Sequence, residues 1–497
     1  MSNAYDALQD HHGRIGRLSS AIEVLYWDSA TMMPSGGAAT RAEQMATLKV
    51  LEHTLGTDPR LVGWLAEAEA EAPNLDPWQR ANLSEMRRLH AHATAVPEAL
   101  VEALSKAGSA CEVAWRSARP ANDFATLAPL LTEVVRLVRE VAAAKAEALD
   151  TSPYEALLDQ YEPGGSTARI DALFEELAGF LPDFTERALE RQARRPAAIA
   201  PQGPFDPERQ KALGVKIMGA LGFDFSHGRL DVSAHPFCGG AAGDIRITTR
   251  YREGDFIQSL MGVIHETGHA LYELGLPEAW RFQPVGHARG MSLHESQSLL
   301  MEMQACRSPQ FLAFVAPLAR DIFGGQGPAW ETDNLHRLYT RVERGLIRVD
   351  ADEVTYPAHV ILRYRLERAM ISGDLEVVDL PGAWAEGMRS LLGVAPTSDR
   401  DGCMQDIHWM EGALGYFPTY TLGAMTAAQL FDAATRADAA ILPGIAAGDF
   451  KPLLAWLRDK VHAPASSLST DELLIRATGR PLDAAAFKAH LEARYLS

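Results

Sequence analysis

The chain has 497 residues, 47% hydrophobic and 23% charged, a balance that suits a globular protein with a large core and room for a deep cleft. Its 47 Lys+Arg against 65 Asp+Glu leave a formal charge of −18. Such a chain gains nothing from counterion release on a phosphate backbone, which argues against nucleic acid as a partner. No stretch reaches the ~18 apolar residues of a membrane helix, which argues against a membrane partner.

The N-terminal run MSNAYDALQDHHGRIGRL lacks the apolar core of a secretory signal. Cys111, Cys238, Cys306 and Cys403 are scattered, with no CxxC, as suits a reducing compartment. Together these features predict a cytoplasmic protein. Further along, Leu127, Leu130, Leu131, Val134, Val138 and Val141 recur at helical spacing with Glu133, Arg136, Arg139 and Glu140 between them. The Ala-rich residues 141–149 extend that helix. Breaks fall at 195–207, 324–328 and 443–452, all short, and no internal repeat is present. Strand-like alternation is best at Asp244-Ile245-Arg246-Ile247-Thr248-Thr249, just after Gly239, Gly240 and Gly243. The pattern predicts a mainly α protein: one unit over 1–497, two helical lobes around a cleft, and one small β-sheet.

Residues 255–277 have both ends of a helix written into them. Asp255 can N-cap, with Gln258 completing a capping box; Gly275 suits a left-handed C′ position and Pro277 a stop. Ile257, Leu260, Met261 and Ile264 supply the apolar face. Within this helix, His265-Glu266-Thr267-Gly268-His269 sets two imidazoles one turn apart on one face, able to share an ion. Glu266 can then reach a water without being a ligand. The competing reading, two surface histidines on an amphipathic helix, fits poorly with a mid-helix position among apolar residues. A catalytic zinc usually takes three protein ligands and leaves a fourth position open. Glu295 is the candidate third ligand, yet Ser292-x-x-Glu295 also reads as a capping box, and spacing leaves both open. His294 is a weaker candidate, because it points about 100° away on the same helix.

Further motifs accompany this one in order: Trp27-Asp28, Thr31-Met32-Met33-Pro34, Gly36-Gly37 and Arg41-Ala42, then His235-Pro236-Phe237 and Asp244-x-Arg246-x-Thr248. After HExxH come His294-Glu295-Ser296-Gln297, Ile347-Arg348-x-x-Ala351-Asp352 and Gly402-x-x-Gln405-Asp406-x-His408-Trp409. The set resembles the M32 metallocarboxypeptidase family, the thermostable-carboxypeptidase group, over nearly the whole chain. The resemblance implies His265, His269 and Glu295 as ligands of one Zn2+ (or Co2+) per chain, with Glu266 as the catalytic carboxylate. It also implies a cleft-containing helical fold similar to neurolysin and the angiotensin-converting enzymes, in a homodimer that trims single residues from peptide C-termini with broad preference. One departure stands out: where family members continue with an Arg-Leu-Trp-Glu-Asn-like run, this chain has Leu299-Leu300-Met301-Glu302-Met303.

Tyr420 is the first candidate for an oxyanion donor and Tyr416 the second, against the alternative of buried core tyrosines. By resemblance, Arg348 reads the free C-terminal carboxylate of a peptide, a task that suits a planar guanidinium. A solvated ion pair is the alternative there. His235 and Arg246 are expected near the cleft, with the strand around Arg246 open to edge addition of an extended peptide. The alternative for His235-Pro236-Phe237 is a turn that fixes the sheet. His408 and Gln405 resemble cleft-lining residues, Asp406 an orienter of histidine, Trp409 packing, and His359 a satisfied core histidine. No His/Asn arrangement makes Cys238 or Cys403 a thiol catalyst. Two other functions stay open: an oligopeptidase that cuts internally, and an inactive homologue that binds peptides.

Overall fold

A computed structural model describes residues 4–497; Met1, Ser2 and Asn3, which begin the segment read above for a signal, lie outside the described residues. Helices dominate, for the reason the periodicity gives. In Phe124–Leu149, Leu127, Leu131, Val134 and Val138 are buried along one face, while Glu133 and Arg136 pair at 2.7 Å outside. Asp123 caps its first turn through the Thr126 amide, and Asp150, left-handed at φ 51°, ends it. Most helices share one core, which runs from Cys111 to Tyr495. A smaller cluster, with Tyr5, Leu8, Leu61, Leu65, Leu83 and Met86, gathers the N-terminal helices. No helix among the described residues is long and apolar enough to cross a membrane. All four cysteines are free.

The sheet has three strands, β1 (Gly228–Val232), β2 (Cys238–Ala241) and β3 (Asp244–Thr249), in the order β1-β3-β2. β3 runs parallel to β1 and antiparallel to β2. This corrects one expectation: the strand carrying Arg246 is central and paired on both sides, so it has no free edge for a peptide. Alternation along β3 explains its two faces. Ile245 and Ile247 are buried with Val263 and Ala270 of helix α2 (Phe256–Glu273). On the other face, Arg246 and Arg229 stack over Trp27 of helix α1 (Ala4–Thr31), their Cζ atoms 4.5 and 5.1 Å from its ring. Nearby, Arg41 donates to the Leu25 carbonyl at 2.8 Å and to Asp28 at 2.7 Å. Trp27 therefore fixes α1 against the sheet, while Asp28 and Arg41 tie α1 to the helix Ala38–Gly56 that follows it.

Two other sequence expectations change. Most of 443–452 is helical, in Ile441–Ala447 and Lys451–Leu457, with the break confined to the turn at left-handed Gly448. Gly275 does not adopt the left-handed conformation. Its side is filled instead by the Arg458 guanidinium and the His462 ring, so glycine is needed there for space.

Candidate active site

Asp255 caps helix α2 as predicted, its carboxylate accepting from the Ile257 and Gln258 amides at 2.9 and 3.2 Å, but the Gln258 side chain returns no bond, so the expected capping box is only half made. Helix α3 (Met291–Leu299) lies across it, and helix α5 (Pro418–Ala437) covers the other side of α3. Helix α4 (Tyr356–Ser372) packs against α5. Two glycines set these distances. A Cβ on Gly268, inside the HExxH segment, would fall 2.6 Å from the Ser298 Cα of α3. A Cβ on Gly423 of α5 would meet the Glu295 Cβ and Cγ at 2.9 Å. The N-terminus of α3 is held by a residue the sequence reading missed: buried Glu162 accepts from the Ser292 amide at 3.0 Å and from Thr470 at 2.9 Å. Ser292 therefore caps nothing through its side chain, and the capping-box alternative for Glu295 falls away.

This packing brings His265, His269 and Glu295 together, one donor atom from each lying within 4.8 Å of the others. The Glu295 carboxylate oxygens are 3.9 Å from His265 Nε2 and 3.6 Å from His269 Nε2. In both histidines the other nitrogen is engaged. His265 Nδ1 pairs with Glu302 Oε2 at 3.0 Å, and His269 Nδ1 pairs with the His294 carbonyl at 3.1 Å. A proton on each Nδ1 leaves each Nε2 lone pair facing Glu295, the tautomer a metal ligand needs. These donors fit a tetrahedral cation with bonds of roughly 2 Å. His294 turns away as expected, bonding Glu273 at 2.9 Å.

The electrostatics also favour a cation. Burial opposes a charge on His265, yet Glu295, Glu302 and Glu266 raise its imidazole to about 10. Burial pushes the Glu266 carboxyl up to about 7, with His265 pulling down and Glu295 adding to the rise. Glu302 is a second residue that sequence reasoning missed. Despite burial, Arg307 and His265 hold it below its ordinary value, and it bonds Arg307 at 2.6 Å. It sits in a π-helical segment, Leu300–Ala305, that continues α3. Its seven-residue spacing from Glu295, two helical turns, was the available signal.

A cavity of about 630 Å³ opens onto these groups, with Glu266, Arg348, Tyr356, Tyr416 and Tyr420 in its wall. A second, of about 810 Å³, adjoins it, and Cys238, Met291 and His294 border both. Burial pushes the phenols of Tyr356, Tyr416 and Tyr420 up, so all three remain donors at neutral pH. Arg348 is no solvated ion pair. It is buried, its Nε and one terminal nitrogen donate to Asp406 Oδ1 at 3.1 and 2.8 Å, and the other donates to Tyr356 at 3.1 Å.

The remaining predicted residues stand elsewhere. His235 is exposed and outside both cavities, although Pro236 and Phe237 line the first. Arg246 pairs with Asp244 and stacks on Trp27, away from the cavity wall. Gln405 is buried and outside it as well. Its Oε1 accepts from the Arg348 amide at 2.8 Å, and its amide donates to the Leu346, Asp401 and Gly402 carbonyls at 3.1 Å. His408 packs behind the wall against Phe417, ring centroids 4.7 Å apart. Asp406 bonds two arginines, Arg348 and Arg363 (2.7 Å), with no histidine bonded to it. Trp409 is buried and donates to Glu367 at 2.8 Å. His359 is buried without a hydrogen bond of good geometry, and burial pushes its imidazole down to about 3.

Comparison with known proteins follows the same lines. The family model described as Carboxypeptidase Taq (M32) metallopeptidase matches residues 7–495. "Thermostable carboxypeptidase 1" of Thermus thermophilus is 40% identical over 506 aligned positions, covering 99% of this chain and 98% of the relative. The solved structure of Trypanosoma cruzi metallocarboxypeptidase 1 superposes with a TM-score of 0.97 at 42% identity, covering 99% of each chain. That of the M32 carboxypeptidase from Deinococcus radiodurans gives 0.91 at 33% identity, over 99% of this chain and 98% of that one.

Proposed function

The chain belongs to the M32 family of metallocarboxypeptidases, and from that premise we propose that it is a zinc-dependent enzyme of broad specificity acting on peptides with a free C-terminus. The observation that carries the zinc site is the convergence of two imidazole Nε2 atoms and one carboxylate, with both Nδ1 atoms already engaged. When bound, one Zn2+ (or Co2+) per chain supplies Lewis-acid polarisation of a carbonyl and acidifies a water.

The chain's own residues do the rest. Glu266, whose carboxyl stands close to neutrality, takes the proton of the attacking water and passes it to the leaving amine. Tyr420, or Tyr416 beside it, donates to the carbonyl oxygen as negative charge develops there. Asp406 and Tyr356 use three of the five N–H groups of Arg348 and hold its plane still. The two left over, one on each terminal nitrogen, match a peptide's terminal carboxylate. An extended substrate finds its free strand edge at β2, whose residues border the second cavity. We place the enzyme in the cytoplasm, on its scattered cysteines, and read it as a homodimer, on the family resemblance, with residues 1–497 acting as one catalytic unit.

An N-terminally blocked peptide, followed by mass spectrometry, tests this reading. A ladder losing one C-terminal residue at a time, abolished by a chelator, by Glu266→Gln and by C-terminal amidation, is the expected result. Internal fragments, with the amidated peptide cut equally well, would move the enzyme to the oligopeptidases. A metal-loaded, folded sample that cuts nothing would leave an inactive peptide binder.

A further inference from the structure

A third cavity, of about 620 Å³, gathers arginines into one wall. Three elements bring Arg195, His336, Arg337, His490 and Arg494 to its wall. Asp333 is the one acidic side chain among the lining residues. On a chain with a net charge of −18 this is a local concentration of arginine. The crowding registers on the residues themselves. Burial, then Arg191 and Arg337, depress Arg195; burial, then Arg494, Arg195 and Arg337, depress His336.

Some of these side chains have structural employment. Arg494 and His490 bond Glu353 at 2.9 and 2.7 Å, and Arg191 and Arg195 donate to the Ser497 carbonyl oxygen. Arg337 has none. It makes no hydrogen bond or ion pair among the described residues, and its Nε is buried without a partner. Half-buried and without a bonded carboxylate, its guanidinium keeps its N–H groups free for an anion. Five N–H donors in a fixed fork match the oxygens of a tetrahedral oxyanion.

We propose that this cavity is an anion site for a phosphate-class ligand, either free phosphate or the phosphoryl group of a small metabolite, with Arg337 as its principal ligand and Arg195 beside it. Paired side chains link its wall to that of the metal cavity. Glu353 lines the metal cavity and takes its charge partners from helix Ala485–Tyr495, on the anion side. Arg494 also donates to the Met303 and Gln304 carbonyls of the π segment that carries Glu302. The inference does not depend on the peptidase reading.

Calorimetric titration of the metal-loaded enzyme with inorganic phosphate, against chloride at matched ionic strength, tests it. Wild type is expected to bind phosphate, and Arg337→Gln to weaken binding roughly tenfold or more. Arg337→Lys should retain part of the affinity. Arg195→Gln gives a second reading if Arg337→Gln does not fold, and both glutamine variants should hydrolyse peptides as wild type does in phosphate-free buffer. A phosphorylated sugar tested beside free phosphate separates the two sources. No phosphate-specific binding by wild type, or equal binding by both glutamine variants, would overturn the proposal; the latter result would assign any phosphate bound to the metal cavity.

Discussion

Gly268 stands where a side chain would collide with the carbonyl oxygen of Gln297, so the helices bearing His269 and Glu295 meet backbone to backbone. The spacing of the third candidate ligand from the two histidines thus depends on a residue with no side chain. Gly268→Ala must push main chain against main chain, which yields far less readily than a flexible side-chain tip. We expect it to cost about 2 kcal/mol or more of stability and to weaken metal binding measurably, read by thermal unfolding and by chelator competition. Unchanged metal affinity in a folded Gly268→Ala protein would contradict this account.

Glu302 fixes the ring of His265 through Nδ1 while Arg307 fixes Glu302. Glu302→Gln removes the charge that raises the basicity of His265, while its amide oxygen can still accept from Arg307. Metal affinity should fall about 10- to 100-fold with the fold intact, as competition against a chromogenic chelator would report.

Arg348 and Asp406 should respond differently to truncation. Arg348→Ala leaves Asp406 paired with buried Arg363, so stability changes little. The discrimination between free-acid and amidated peptides should fall roughly 10- to 100-fold in kcat/KM. Asp406→Ala instead strands two buried guanidiniums and should cost about 3–5 kcal/mol. Denaturant unfolding of both variants separates the roles.

Glu367 in α4 accepts from the Tyr154 hydroxyl at 2.7 Å, the Trp409 indole at 2.8 Å and the Gly415 amide at 3.1 Å. Burial outweighs these bonds and pushes its carboxyl up to about 7 from 4.5. Between those two values the folded protein keeps a proton that the unfolded chain has lost. Glu367 therefore subtracts stability as pH climbs through that window, on the order of 3 kcal/mol in total, and adds no further slope above it. Glu367→Gln should flatten the stability–pH curve between about 4.5 and 7, relative to wild type, in denaturant titrations. Parallel curves would rule the assignment out.

Local chemistry decided what was legible in the sequence. The cap at Asp255, the alternation of Asp244–Thr249 and the spacing of His265 and His269 each lie within one element, and each appears in the fold. Within the Leu299–Met303 departure, Glu302 carries the bond to His265. Glu162 and Glu302 went unread because their partners are distant or depend on a π segment that no periodicity announces. Gln405 and Asp406 were placed in a motif beside the cavity, but a motif does not say which way a side chain turns. Gln405 spends its amide on main chain, and Asp406 is claimed by two arginines. Likewise the strand pattern gave β3 but not its neighbours, because strand order is set by tertiary pairing.

With β3 enclosed, the rim that the sheet offers to the cavities is β2, and two of its four residues are glycine. A chain laid against that rim would be gripped through amide groups common to every amino acid. Such a grip is blind to sequence. Any taste for particular residues must come from side chains, among them Met303, Tyr416 and Tyr420 of the adjoining metal cavity, and substitutions there are the means to retune it.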